Sequence, residues 1–595
     1  GSYNVYNTMM DLVPGAVDRP LKTTRYLGSY SLDIKLPVDG LKFRSNLGID
    51  ARTVQDYEFR SAETSNRGMG TSYARNAVDK YTMFTLENML FYDKTFNDKH
   101  TLGVTLLQSI QEDKKESVNV AMENLPADNL KYYDLGSGLV TNTIGSSMIK
   151  WNMASFMGRI NYNYLGRYLL TVSARYDGSS RLADGHKWVL FPSAALAWRI
   201  NEESFMANTS GWLDNLKLRL GFGKTGNSAV DPYQTKGTLS LIRYPFDNGG
   251  TPTIGYAPNA MANSLLTWET TDQWNLGIDF GVLRGRINGT IDLYMQNTHD
   301  LLLKRQLPVV SGFPDVLSNV GKTRNKGIEV SINSMNINTK DFQWTTDLML
   351  SSNKEEIVEL YNGKNDDIGS KWFIGQPVNV HYDYHKVGIW QNTEADLAEM
   401  AKFAANGTDF APGDIKIEDV NNDYKITDAD KQILGNPRPK LIASMVNTFN
   451  YKGFDLSVFL YASFGAMLYN DIYAVEHCGR NGGVKVDYWT PNNPTNAYPR
   501  PSIDEERPIY ITSTYYEKAD FLRVKTMTMG YTLPKSLTQK FMVEKLRVYF
   551  TAQNPFIFTN YTGIDPEAAK VNAAGNPETN GSGFGTPSIS SWIFG

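Results

Sequence analysis

Between Asp419 and Asp430 the chain reads Asp-Val-Asn-Asn-Asp-Tyr-Lys-Ile-Thr-Asp-Ala-Asp. Acidic or amide side chains fill the first, third and fifth places, and a carboxylate fills the twelfth, which is the spacing by which a short loop presents oxygens to calcium. Asp419, Asn421 and Asp423 would offer side-chain oxygens, Lys425 its backbone carbonyl, and Asp430 one or both carboxylate oxygens. The loop departs from the usual pattern at Tyr424, where a glycine makes the sharp turn, and at Asp430, where glutamate is usual. The competing reading is an Asx-rich loop capping a short helix over 428–434 that Gly435 ends.

Other reactive side chains form weaker groupings. His381 and His385 are four apart, so in an extended segment they share a face with Asp383, a geometry open to a metal but equally to a pair of exposed imidazoles. His477-Cys478 lies in a long polar stretch without a third partner. Because Cys478 is the single cysteine, an intrachain disulfide framework and multi-thiolate zinc sites are excluded. Glycine-rich stretches lack the following helix that a phosphate cradle needs, and no paired-carboxylate cleft of a glycosidase can be located, so the chain is read as no enzyme. Asp487-Tyr488-Trp489-Thr490-Pro491-Asn492-Asn493 offers rings that could stack on sugars or form a docking rim for a partner.

The elements that must position these residues are strands. From Trp151 to Ser180 apolar or aromatic residues alternate with polar ones: Ala154, Phe156, Ile160 and Tyr162 against Ser155, Arg159 and Asn161, then Tyr168, Leu170, Val172 and Tyr176 against Thr171, Ser173 and Arg175. The period is two, with only Leu165-Gly166-Arg167 between the arms. The same pattern places strands at 24–36, 41–52, 80–96, 101–118, 188–200, 216–226, 267–283, 286–303, 319–337, 342–357, 440–451, 454–464, 521–533 and 546–558, with a partial strand near 589. That makes about 17 strands.

Short turns such as Leu283-Arg284-Gly285-Arg286 and Tyr451-Lys452-Gly453-Phe454 are expected to alternate strictly with long connections. Outer-membrane barrels have this asymmetry, whereas a soluble sandwich does not require it. Aromatic residues make up 12% of a chain with no apolar run near the length of a membrane helix, so any crossing is by strands. Lys+Arg 59 against Asp+Glu 63 gives a net charge of -4, and without a dense basic cluster nucleic-acid binding is not expected. The fold class is therefore all-β: a large transmembrane antiparallel barrel with short periplasmic turns, long extracellular loops and a lumen too wide for side chains to fill.

Several local sequences resemble the SusC-like (SusC/RagA-type) TonB-dependent outer-membrane transporters. They run from Tyr164-Leu165-Gly166-Arg167-Tyr168 and Arg175-Tyr176-Asp177-Gly178-Ser179-Ser180, through Phe191-Pro192-Ser193, Ala197-Trp198-Arg199-Ile200 and Gly223-Lys224-Thr225-Gly226-Asn227. Trp268-Glu269-Thr270-Thr271, Asn325-Lys326-Gly327-Ile328-Glu329, Pro412-Gly413-Asp414-Ile415 and Gly530-Tyr531-Thr532-Leu533-Pro534 continue the series. In that order they cover nearly the whole chain, while Asp430 in its loop also resembles dockerin-type loops.

The resemblance implies a 22-stranded plugged barrel. Residues 1–595 are then the C-terminal portion of it, 358–439 a long extracellular loop carrying the calcium-binding-like motif, and the plug domain and TonB box lie outside the chain. It also implies a bacterial outer-membrane location, a SusD-like surface lipoprotein as partner, TonB acting through the N-terminal part, and a dimer of transporter–lipoprotein pairs as an assembly open to it. The function expected is active import of large nutrients, chiefly oligosaccharides, with peptide import by the same machinery, or a passive porin or structural barrel, as alternatives.

Overall fold

The computed structural model describes residues 7–244, 253–470, 485–501, 508–567 and 588–595. The chain divides into two compact units, 1–197 with 221–272 and 299–320, and 198–220 with 273–298 and 321–595.

In the first unit Leu21–Lys35, Leu41–Arg60, Tyr73–Phe96, His100–Glu123, Val140–Tyr164 and Tyr168–Ser179 pair antiparallel, each with the next in sequence. Tyr164 pairs with Tyr168 across a turn in which Leu165 and Gly166 take φ of 56° and 69°, the mirror-image geometry that matches the twist of its arms. The Gly166 N–H donates to Asn163 Oδ1 at 2.9 Å, which ties the turn to the strand before it.

The period of two survives in three dimensions. Tyr168, Leu170, Val172 and Tyr176 are exposed, as are Leu106, Ile110, Phe156 and Ile160 on the neighbouring strands. The intervening side chains hydrogen-bond to one another. Thr171 Oγ1 donates to Asn161 at 2.9 Å, the Ser173 and Ser193 hydroxyls meet at 2.6 Å, and Arg175 reaches Asp177 at 2.7 Å and Ser155 at 2.9 Å. A contiguous apolar face this large, left uncovered by protein while the other face satisfies its polar groups, is a lipid-facing surface.

Strands extend further than alternation alone suggests. Val140–Tyr164 begins well before Trp151, and Tyr73–Phe96 well before Lys80. In Val140–Ile149 nearly every residue is exposed whichever face it occupies. A segment that leaves the bilayer has water on both sides, so its ladder persists after the apolar pattern stops.

In the second unit Lys322–Asn338, Phe342–Glu359, Leu441–Tyr451, Phe454–Phe464, Phe521–Thr532, Arg547–Thr559 and Ser591–Phe594 pair antiparallel in that order. The expected strict alternation of short and long connections is corrected at two places. Residues 200–212 hold the 3-10 turns Ile200–Glu202 and Ser204–Thr209, and 533–546 hold the short helix Lys535–Thr538 followed by Gln539–Phe541. A further hairpin, Thr238–Tyr244 with Thr253–Ala260, stands in a connection read as loop.

Candidate functional site

Within the second unit the longest connections fold into a module of their own. Its ribs are the strand pairs His381–Tyr384 with Lys431–Gly435, Lys386–Ile389 with Ile415–Ile417, and Met467–Tyr469 with Tyr516–Lys518. The helix Glu394–Ala405 starts at Thr393, whose Oγ1 accepts the Asp396 N–H at 3.2 Å. Its buried Met400 and Phe403 pack against Trp390, with Phe410, Tyr424 and Ile426 around them. A second cluster joins Ile389, Ile415, Ile417, Trp489, Ile511 and Tyr515.

Trp489 is thus a core side chain, its Nε1 donating to Gln391 Oε1 at 2.8 Å, and is corrected from a sugar-stacking or docking ring to a structural one. Tyr488 beside it stays 46% exposed. Asp487 closes the turn by accepting from Asn493 at 2.8 Å and Thr495 at 2.6 Å, which hold its carboxyl below the usual range.

The aspartate loop is wound by Asx turns. Asp419 accepts the N–H groups of Asp423 at 3.3 Å and Tyr424 at 2.8 Å, Asn421 accepts Asp423 at 3.1 Å, and Asp423 accepts Lys425 at 2.8 Å. Asn422 and Tyr424 take φ of 57° and 56°, so the left-handed turn expected at the sixth place exists despite the tyrosine. Tyr424 is held by its ring, which packs edge-on to Phe403 with centroids 5.5 Å apart.

Asp430 is completely buried and accepts the N–H groups of Val420 at 3.0 Å and Thr427 at 2.8 Å, forming a capping box with Thr427. The helix expected over 428–434 is corrected: Asp428–Asp430 is a single 3-10 turn, and Lys431–Gly435 is a strand. Pairing with His381–Tyr384 wins because it satisfies a backbone that a two-turn helix would leave half unpaired.

The histidines do not converge. His381 is buried, its Nε2 lies 2.8 Å from the Met467 carbonyl and its ring meets Tyr516 at 5.1 Å, while burial lowers its pKa. His385 lies on the far side of a strand break, 2.7 Å from Glu418 Oε2. His385 and Gln432 together hold the Glu418 carboxyl below its ordinary range. Asp383 accepts instead from Tyr516 Oη at 2.9 Å. Among the described residues no three His, Cys, Asp or Glu side chains stand in metal-holding geometry. His477 and Cys478 lie outside the described residues.

Beside the aspartate loop is a cavity of about 500 Å³. Phe410 and Tyr510 wall it, with ring centroids 6.3 Å apart, Ile415 and Ile426 form apolar lining, and Asp409, Asp414 and Arg500 supply charge. Arg500 is oriented by Asp414, Nε to Oδ1 at 2.9 Å, and Asp414 in turn accepts the Ala411 N–H at 2.8 Å. Gly413, at φ 93°, makes this packing possible, since a Cβ there would stand 2.5 Å from the Trp489 ring. Sequence reasoning noticed Pro412-Gly413-Asp414-Ile415 but missed the cavity, because its walls meet only when residues 407–426 come against Pro499, Arg500 and 508–510.

Long antiparallel strands with one uncovered apolar face, short turns at one end and a folded loop module at the other define an outer-membrane β-barrel protein. The family model described as TonB dependent receptor-like, beta-barrel matches residues 3–554, and the chain belongs to that family. TonB-dependent receptor P3 of Formosa agariphila is 32% identical over 89% of this chain and 53% of its own length. TonB-dependent receptor SusC of Bacteroides thetaiotaomicron is 34% identical over 70% of this chain and 41% of its own. The chain spans about half the length of the curated relatives it matches. A solved RagAB peptide transporter superposes with a TM-score of 0.81 at 21% identity, over 97% of this chain and 62% of that one, a likeness of fold.

Proposed function

We propose that this chain is the barrel wall and outer loop module of a TonB-dependent transporter that imports oligosaccharides across the outer membrane. The observation that carries the substrate class is the cavity in whose lining the rings of Phe410 and Tyr510 stand together with Asp409, Asp414 and Arg500. Sugar rings offer an apolar C–H face to stack on such rings and a hydroxyl edge for charged groups to hydrogen-bond. Membership of the family supports import driven through TonB, and the size of the loop module supports a SusD-like lipoprotein as the capturing partner.

Calorimetry on the full-length protein with glycan and peptide libraries tests the reading. Oligosaccharide binding that falls at least about tenfold in Phe410→Ala and Tyr510→Ala, a loss of stacking worth about 1.4 kcal/mol, is the expected result. Binding of peptides with no response to glycans would replace the oligosaccharide with a peptide.

We further propose that Asp419, Asn421, Asp423, the Lys425 carbonyl and Asp430 hold a calcium ion that fixes the loop. The order of oxygen-bearing residues and the left-handed turns at Asn422 and Tyr424 support this. The capping box opposes it, since Asp430 has to give up N–H partners to turn toward a cation. An affinity in the range of extracellular modules, roughly 10⁻⁴ to 10⁻³ M, follows from that competition.

A further inference from the structure

The charges in the Phe410–Tyr510 cavity do not balance. Its lining holds two carboxylates, Asp409 and Asp414, one guanidinium, Arg500, and among the described residues no lysine or histidine. Asp414 is committed on both oxygens, Oδ1 to Arg500 Nε at 2.9 Å and Oδ2 to the Ala411 N–H at 2.8 Å, so this pair is closed within the wall. Asp409 is exposed, and among the described residues no side chain pairs with it.

The surroundings do not supply the missing cation. Lys416 bonds Asp396 at 3.2 Å and Glu399 at 2.5 Å, Lys431 pairs with Asp428 at 2.7 Å, and Lys402 lies over the Tyr424 ring at 5.1 Å. The adjoining aspartate loop carries four carboxylates between Asp419 and Asp430 against one ammonium, Lys425. That negative field reaches the cavity wall: burial, Tyr384 and the charge of Asp430 together push the Tyr510 hydroxyl up.

The cavity thus keeps one uncompensated carboxylate beside aromatic rings. A neutral sugar can hydrogen-bond to Asp409 but leaves its charge unmatched, whereas an ammonium group does both and is also attracted to aromatic rings. An acidic sugar is repelled, since Asp414 already holds the one guanidinium.

We propose that this cavity selects an amino sugar, a glycan unit with a free ammonium group, which pairs with Asp409 beside the rings of Phe410 and Tyr510. The inference rests on the reading of the cavity as an oligosaccharide site and adds the charge of the sugar to it.

Calorimetry on the full-length protein tests it, with a glucosamine tetramer, its N-acetylated form and a galacturonate tetramer as probes, all at one pH that keeps the amine protonated. The amino tetramer should bind about fivefold more tightly than the acetylated one, and the galacturonate most weakly. Asp409→Asn should bring the ratio of amino to acetylated affinity to about one, and Asp409→Glu should restore the preference. Equal or weaker binding of the amino tetramer, a ratio unmoved by Asp409→Asn, tightest binding of galacturonate, or trilysine binding as tightly as the amino tetramer would each overturn the amino-sugar assignment in a protein that still binds glycans. Peptide binding with no response to any glycan would overturn the oligosaccharide reading and this assignment with it.

Discussion

Arg523 and Asp565 meet across a buried interface, Nη2 to Oδ1 at 2.5 Å, with side chains only 4% and 5% exposed. Arg523 belongs to the strand Phe521–Thr532, and Asp565 lies in the connection after Arg547–Thr559, so the contact pins that connection to the sheet. Asp565 also accepts the N–H groups of Glu567 and Ser588 at 2.9 Å. Glu567 faces Arg523 Nε at 2.9 Å, near enough for ion pairing but out of line for a hydrogen bond.

Removing Asp565 leaves the buried Arg523 charge with only the out-of-line Glu567 carboxylate beside it. Asp565→Ala should destabilise the sheet end by about 3–5 kcal/mol, whereas the double change Arg523→Met with Asp565→Leu should cost clearly less. Denaturant unfolding of the refolded protein, run as a double-mutant cycle, measures the coupling. Costs that simply add would show that the two side chains do not depend on each other.

His381 makes the loop module sensitive to acid. Its folded pKa is lowered by burial, so the unfolded segment takes up a proton at a higher pH than the folded one. The associated stability is complete above the unfolded value of about 6.5 and is lost as pH falls below it toward the lowered folded value. Amide exchange of Met467–Tyr469, corrected for its intrinsic pH dependence, should show easier local opening at pH 5 than at pH 7.5. His381→Gln should flatten that difference, and an unaltered profile in the variant would assign the acid effect to another group.

The two faces of Tyr168–Ser179 should meet different media. A spin label at Val172, which is 44% exposed on the apolar face, should be relaxed by oxygen dissolved in lipid. A label at Thr171, whose hydroxyl donates to Asn161, should respond to a water-soluble nickel complex instead. The reverse assignment would invert the face that the barrel turns to the membrane.

The barrel was legible because its determinants are local. Period two survives where one face meets lipid, so the alternation of Tyr168–Ser179 could be read from the sequence, while Val140–Ile149 could not, having water on both faces. The Asx turns of the aspartate loop were legible for the same reason, each bond spanning only a few residues. What failed depended on distant partners. Lys431–Gly435 looks like a helix end until His381–Tyr384 pairs with it, and Trp489 looks like a surface ring until Ile389, Ile415 and Ile511 close over it. The Phe410–Tyr510 cavity is of the same kind, with walls a hundred residues apart.

Calcium at the aspartate loop is the sharpest test of whether a readable pattern also has a function. Asp419, Asn421 and Asp423 already point their oxygens inward along the turn, where they hold backbone N–H groups. A cation can share those oxygens, because a carboxylate has about four lone-pair sites and each Asx turn uses only one or two. Calorimetric titration should find one ion per chain with a dissociation constant of roughly 10⁻⁴ to 10⁻³ M, weakened at least about tenfold by Asp423→Ala. Saturating calcium should also slow amide exchange at Tyr424 and Lys425, since an ion that binds the folded loop stabilises it by mass action. Asp430→Asn keeps an oxygen for the Thr427 N–H but sets its amide against the buried Val420 N–H, so it should loosen the ion-free loop as well as weaken the ion. No heat and no added protection at 5 mM calcium would leave Asp419–Asp430 as an Asx-wound turn that serves only to cap Asp428–Asp430 and lead into Lys431–Gly435.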